Sequence, residues 1–130
     1  MILDTSAMVA SFIANRSGRF ARLIHDTELC RISVTNYVEL SMVIESQLGP
    51  EGIRQTEVFL RRAGVVIEPV TVDHGELARH AFLDFGKGHH KAGLNFGDCF
   101  SYALAKAAGE PLLFKGTHFA QTDIKAAWEC

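Results

Sequence analysis

The stretch from Leu94 to Asp123, LNFGDCFSYALAKAAGEPLLFKGTHFAQTD, permits few folds. Phe100, Ala103, Leu104, Ala107 and Ala108 recur at helical spacing, which predicts a helix with one buried face, opened by Gly97 and Asp98. Gly109 and Pro111 stop it. The apolar run Leu112, Leu113 and Phe114 then has the character of a central parallel strand. In a parallel α/β fold the helix runs opposite to the strands. Its amino end therefore lies at the carboxyl edge of the sheet, where open α/β sheets place their ligands. Asp98 and the polar turn from Lys115 to Asp123 both emerge at that edge. An acid ahead of an apolar helical run is also an ordinary cap, so its surroundings decide its meaning.

The remainder of the chain repeats the alternation. Ile2 and Leu3 form a short strand ending at Asp4, and Thr5 or Ser6 can cap a helix carrying Met8, Val9, Phe12 and Ile13. Residues 15–28 hold a second helix with Phe20, Leu23 and Ile24 inward, and 29–34 (LCRISV) alternates as strand two. Thr35 and Asn36 are cap candidates for a helix lined by Tyr37, Leu40, Ile44 and Leu48 and ended by Gly49-Pro50. Glu39 stands three residues after Asn36, at capping-box spacing. A further helix over 50–63 turns Ile53, Phe59, Leu60 and Ala63 inward. Strand three, 65–70, carries Pro69 and so belongs at a sheet edge. Asp73 and Glu76 repeat the capping-box pattern before a helix with Leu77, Ala78, Ala81, Phe82 and Phe85 inward, ended by Gly86. Residues 86–97 form the longest loop, with the basic cluster Lys87, His89, His90 and Lys91; adjacent histidines with no third ligand nearby argue against zinc. Residues 124–128 are a candidate last strand.

Strands alternating with helices predict a doubly wound parallel sheet with helices on both faces. At 130 residues the chain suits one domain, 1–130, and its 48% hydrophobic and 22% charged residues exclude disorder. A net charge of −2 excludes a generic nucleic-acid coat, so any such binding needs a local patch. No apolar run is long enough to span a membrane. The opening MILDTSA has no secretory pattern, and Cys30, Cys99 and Cys130 are too scattered for a disulfide frame, which together predict a cytoplasmic protein with reduced thiols.

This topology brings Asp4, Glu39 and Asp98 to one sheet edge from distant parts of the sequence, beside a loop carrying Thr117, Thr122 and Asp123. Clustered carboxylates repel unless a cation neutralises them, and their oxygens select a hard ion, Mg²⁺ or Mn²⁺. Such an ion suits phosphodiester hydrolysis. A receiver domain would end strand three on an Asp, where this chain has Glu68-Pro69-Val70; a haloacid-dehalogenase-like phosphatase would carry an acid where this chain has Ser6.

The MILDTSA opening, the TNYVELSMVIE helix, the GLNFGDCFSYALAK segment and the GEPLLFKG…F…TDI ending resemble a PIN-domain ribonuclease, within the VapC toxins of bacterial type II toxin–antitoxin pairs. The resemblance covers almost the whole chain. It implies a three-layer α/β/α sandwich on a parallel sheet of about five strands, and a Mg²⁺- or Mn²⁺-dependent endoribonuclease that inhibits translation. It implies a homodimer, and a VapB-type antitoxin that inserts a segment into the active-site groove and builds a larger assembly. The family's acids fall on Asp4, Glu39 and Asp98, with the metal on Asp4 and Asp98. Thr5, Ser6, Thr117, His118 and Asp123 are accessory candidates; Lys87, Lys91 and Lys115 are candidates for contacting RNA. Where the family commonly has an acid just before a Phe, this chain has His118-Phe119. That substitution supports one alternative, a catalytically weakened PIN fold that mainly holds an antitoxin. Asp123 is the candidate to replace the missing acid.

Overall fold

Ile2 and Leu3 point to opposite faces of a sheet, as adjacent strand residues must, and they seed two cores. In the computed structural model, which describes residues 1–13 and 18–128, the chain runs β1 (Ile2–Leu3), α1 (Thr5–Phe12), α2 (Arg19–Asp26), β2 (Arg31–Ser33), α3 (Val34–Ala63), β3 (Val66–Glu68), α4 (Val72–Phe85), α5 (Phe96–Ala108), β4 (Leu112–Leu113) and a 3₁₀ turn at Phe119–Gln121. The four described strands are parallel, in the order β3-β2-β1-β4. Ile2 is in register with Arg31 on one side and Leu112 on the other, and Leu3 with Leu113. Ile2 and Leu112 pack with Ala78, Ala81, Leu94, Ala103 and Leu104 of the α4–α5 side. Leu3 and Leu113 pack with Met8, Ile24, Ile32, Leu40, Ile44 and Leu60 of the α1–α2–α3 side. This is the expected three-layer sandwich.

The chain builds outward from β1 to β3, then returns to the far side of β1 with β4. The switch point lies between β1 and β4, and in such sheets the crevice beyond the carboxyl ends at this point is the ligand position. The Pro69 expectation holds, since β3 is a sheet edge. The expected fifth strand is reduced to one parallel bridge, Leu112 to Ala126, closed by Leu112 N–H on Lys125 C=O at 2.9 Å and Ala127 N–H on Leu112 C=O at 2.8 Å.

The expected helix break at Gly49-Pro50 holds: Gly49, at φ 68° and ψ −163°, divides α3 into two helical pieces without a connecting loop. Several other local expectations change. Leu48, expected on the inward face beside Gly49, is 44% exposed. Asp4, not Thr5 or Ser6, caps α1. Ser33 precedes α3, and Asn36 lies inside the helix, so no Asn36–Glu39 box forms. Thr71, not Asp73, caps α4, accepting from His74 N–H. Asn95 caps α5, two residues ahead of the expected opening at Gly97. Ala107 and Ala108 are exposed because α5 outlasts the layer covering it; Ser101 to Ala105 are buried all round between the sheet and α4. Phe82 is 39% exposed for want of a covering element. Cys30 and Cys99 are buried free thiols. The expected start of the second helix at residue 15, and Cys130, lie outside the described residues.

Candidate active site

A cleft of about 560 Å³ opens at the switch point. Asp4, Thr5 and Ser6 line it from the end of β1, Glu39 and Val43 from α3, Asn95 and Asp98 from the start of α5, and Lys115 to Phe119 from the turn after β4. All three predicted acids therefore meet in one cavity.

Asp4 is almost wholly buried, at 3% exposure. One carboxylate oxygen accepts the Ser6 N–H at 3.0 Å as the α1 cap, and the other accepts the Ser101 hydroxyl at 2.6 Å. Burial raises its pKa against these bonds, and the charge of Asp98 adds to the rise. Asp98 sits at the third position of α5 in a reciprocal capping box: its backbone N–H donates to Asn95 Oδ1 at 2.9 Å, and its Oδ2 accepts the Asn95 N–H at 3.0 Å. The cap and the site acid are thus the same residue. Glu39 packs where a side chain at residue 97 would stand. A Cβ on Gly97 would lie 2.5 and 2.6 Å from the two Glu39 oxygens, so glycine here admits the carboxylate to the cleft.

Among the described residues no Lys or Arg pairs with Asp4, Glu39 or Asp98. The basic partner is His118, whose Nδ1 stands 2.9 Å from Asp98 Oδ2. Of the accessory candidates, Thr5, Ser6, Thr117 and His118 line the cleft, and Asp123 does not. Asp123 accepts the Tyr102 hydroxyl at 2.7 Å and pairs with Lys106 at 2.7 Å. Its partial burial would raise its pKa, but these bonds more than reverse that and hold it below the usual carboxylate range. Asp123 therefore does not replace the acid absent at 118. Lys115 lines the cleft, while Lys87 and Lys91 are exposed on the turn before α5 and do not.

Two residues matter more here than their sequence patterns indicated. Ser101 orients Asp4 from α5. Its position one helical turn after Asp98 was a usable signal, since residues three apart share a helix face. Asn36, expected as a cap, is buried and cross-links α3 to Thr5 and Gly97. Its Oδ1 has no partner among the described residues.

Comparison with known proteins follows the same outline. The PIN-domain family model matches residues 1–125. A ribonuclease VapC of Mycolicibacterium smegmatis is 44% identical over 127 residues, 97% of this chain and 98% of that protein. The crystal structure of Mycobacterium tuberculosis VapC20, described as a sarcin–ricin loop cleaving toxin, shares the fold with a TM-score of 0.77 at 19% identity, over 95% of each chain. A toxin–antitoxin complex from Klebsiella pneumoniae contains a chain with the same fold, at a TM-score of 0.70 and 16% identity, over 94% of this chain and 92% of that one.

Proposed function

This chain belongs to the PIN-domain family, among its VapC ribonucleases, and from that premise we propose that Asp4, Glu39 and Asp98 are its catalytic acids. The protein is the endoribonuclease toxin of a VapBC pair. The observation that carries the assignment is the convergence of three carboxylates, none paired with Lys or Arg among the described residues, on one cleft at the switch point.

The donor set fits a hard divalent ion, Mg²⁺ or Mn²⁺, held by Asp4 and Asp98. Among the described residues no three Asp, Glu, His or Cys side chains surround a common point. Mg²⁺ suits that arrangement, because it commonly binds through one or two carboxylates and keeps several waters. When bound, such an ion activates water and neutralises charge at the scissile phosphate. The chain's own groups prepare the rest. Ser101 and the Ser6 N–H fix the Asp4 carboxylate, and Lys115 draws the phosphate backbone toward the cleft. Ser6 and Thr117 offer hydroxyls along its wall, and Thr5 lines it with its hydroxyl turned to Asn36. His118 steadies Asp98 where the family commonly carries a fourth acid. That one substitution favours a second reading, in which the fold mainly holds its partner with little cleavage.

The partner is a VapB-type antitoxin that blocks this cleft, a reading supported by the toxin–antitoxin structure sharing this fold. Two buried free thiols accord with a reducing cytoplasm. Incubation with cellular RNA should give cleavage with Mg²⁺ or Mn²⁺, none with EDTA, and none after stoichiometric antitoxin is added. Cleavage undiminished by EDTA would remove the metal assignment. No cleavage of any RNA would favour the partner-holding reading.

Homodimerisation is also proposed. Val34, Val38 and Met42 stand four residues apart on α3 and are 37%, 52% and 68% exposed, an apolar stripe on the helix that supplies Glu39. A two-fold contact there would set the two clefts side by side. Light scattering at micromolar concentration should give twice the 14.3 kDa chain mass, and Met42→Glu together with Val38→Glu should return it to one. A monomeric wild type contradicts the contact.

A further inference from the structure

Each acid reaches the cleft from a different element, and the described hydrogen bonds join none of them directly to another. Their spacing is set by their neighbours. Asn36, fully buried on α3, donates one amide N–H to Thr5 Oγ1 at 3.2 Å and another to the Gly97 carbonyl at 3.0 Å. Thr5 follows Asp4, and Gly97 precedes Asp98. The Thr5 hydroxyl donates back to the Asn36 carbonyl at 3.3 Å. Glu39 follows Asn36 by three residues and so lies one turn along the same helix. One side chain is therefore bonded beside Asp4 and beside Asp98, from the helix that bears Glu39.

The orientation of this amide is forced. Gly97 offers only a carbonyl, and the Thr5 hydroxyl has already given its proton, so both need donors from Asn36. The remaining amide oxygen, Oδ1, is buried and has no partner among the described residues. Buried polar groups ordinarily find partners, and an apolar residue would fill this position with no unmet oxygen of its own. What an apolar residue lacks is the pair of donors.

We infer that Asn36 is a positioning residue for the cleavage reaction. Its two N–H groups hold the β1–α1 turn and the first turn of α5 at a fixed distance from α3, so that the carboxylates are in place before a divalent ion arrives. Asn36 is bonded to none of the three acids, and it acts through Thr5 and Gly97. This inference rests on the metal-dependent nuclease reading.

The test uses Asn36→Ala and Asn36→Leu in the whole chain. Circular dichroism confirms folding, calorimetry measures Mn²⁺ binding without RNA, and cleavage is followed across Mn²⁺ concentration. Outer-shell partners of metal ligands typically change affinity 10- to 100-fold. Folded variants should therefore bind Mn²⁺ about tenfold or more weakly, with a matching rise in the Mn²⁺ needed for half-maximal cleavage. If neither variant folds, Thr5→Val and Thr5→Ser read the same link: valine should weaken Mn²⁺ binding, and serine, which keeps the hydroxyl, should restore it. Unchanged Mn²⁺ affinity in folded variants, with only a lower melting temperature, overturns the inference. So does equal Mn²⁺ binding by the Thr5 pair. A wild type that neither binds Mn²⁺ nor cuts RNA overturns the nuclease reading instead.

Discussion

Asp4→Asn eliminates metal-dependent RNA cleavage and leaves a folded protein that, in EDTA, melts no lower than wild type. The loss follows from removing one of two carboxylates assigned to the ion. A metal contributes several kcal/mol to the transition state, and each 1.36 kcal/mol is tenfold, so the rate should fall by about a thousandfold or more. The stability half follows from burial. Asp4 has a raised pKa, first because it is desolvated and further because Asp98 is near. A raised value means that the fold holds this proton more tightly than the unfolded chain does. Stability therefore declines as pH rises from the ordinary carboxylate value through the raised one, and the full penalty is present above the raised value. Asparagine removes the charge, still offers an oxygen as the α1 cap, and can meet Ser101 through its amide. Mn²⁺ should raise the melting temperature of wild type and not of Asp4→Asn. Asp98→Asn should behave alike in cleavage. A folded Asp4→Asn or Asp98→Asn protein that still cuts RNA would falsify the assignment.

Gly97→Ala should separate activity from stability in the other direction. The added methyl would come within 2.5 Å of a Glu39 carboxylate oxygen, and ordinary contact requires that oxygen to retreat by about 1 Å. A displacement of that size in a catalytic group costs about 100-fold. The obstructing atoms are the end of a flexible side chain, so the fold accommodates the methyl. Alanine inside a helix is favoured over glycine by about 0.5–1 kcal/mol. The expected variant is at least as stable as wild type and about 100-fold slower. Single-turnover cleavage beside thermal melting checks both. Full activity would mean that Glu39 has no fixed task in the cleft.

The architecture was legible because strands and helices alternate and because Gly49, Pro69, Gly86 and Gly109 punctuate the chain where the elements end. The three acids were legible for a related reason: Asp4 follows a strand, Asp98 stands in the first turn of a helix and Glu39 in the second turn of another, and topology gathers such positions. Helix starts were less legible. Ser, Thr, Asp and Asn all serve as caps, and the sequence offers several within one turn at Asp4 to Ser6, at Thr35 and Asn36, and at Asn95 to Asp98. Tertiary demands decided among them. Asn36 was drawn inside its helix to reach Thr5 and Gly97, partners 31 and 61 residues away, which no local pattern encodes. Asp123 misled for a related reason. It belongs to the polar loop in sequence, yet Tyr102 and Lys106 on α5 hold it away from the cleft.

Asp4 and Asp98 both sit where a helix begins, one as the cap of α1 and one in the first turn of α5. The peptide dipoles of a helix add to roughly half a positive charge at that end. Two such ends face the cleft, so the carboxylates are set in a frame of opposite sign. This frame tempers their mutual repulsion and welcomes the phosphates of a nucleic acid. A chain with a net charge of −2 thereby draws a polyanion with the direction of its peptide bonds as well as with its side chains.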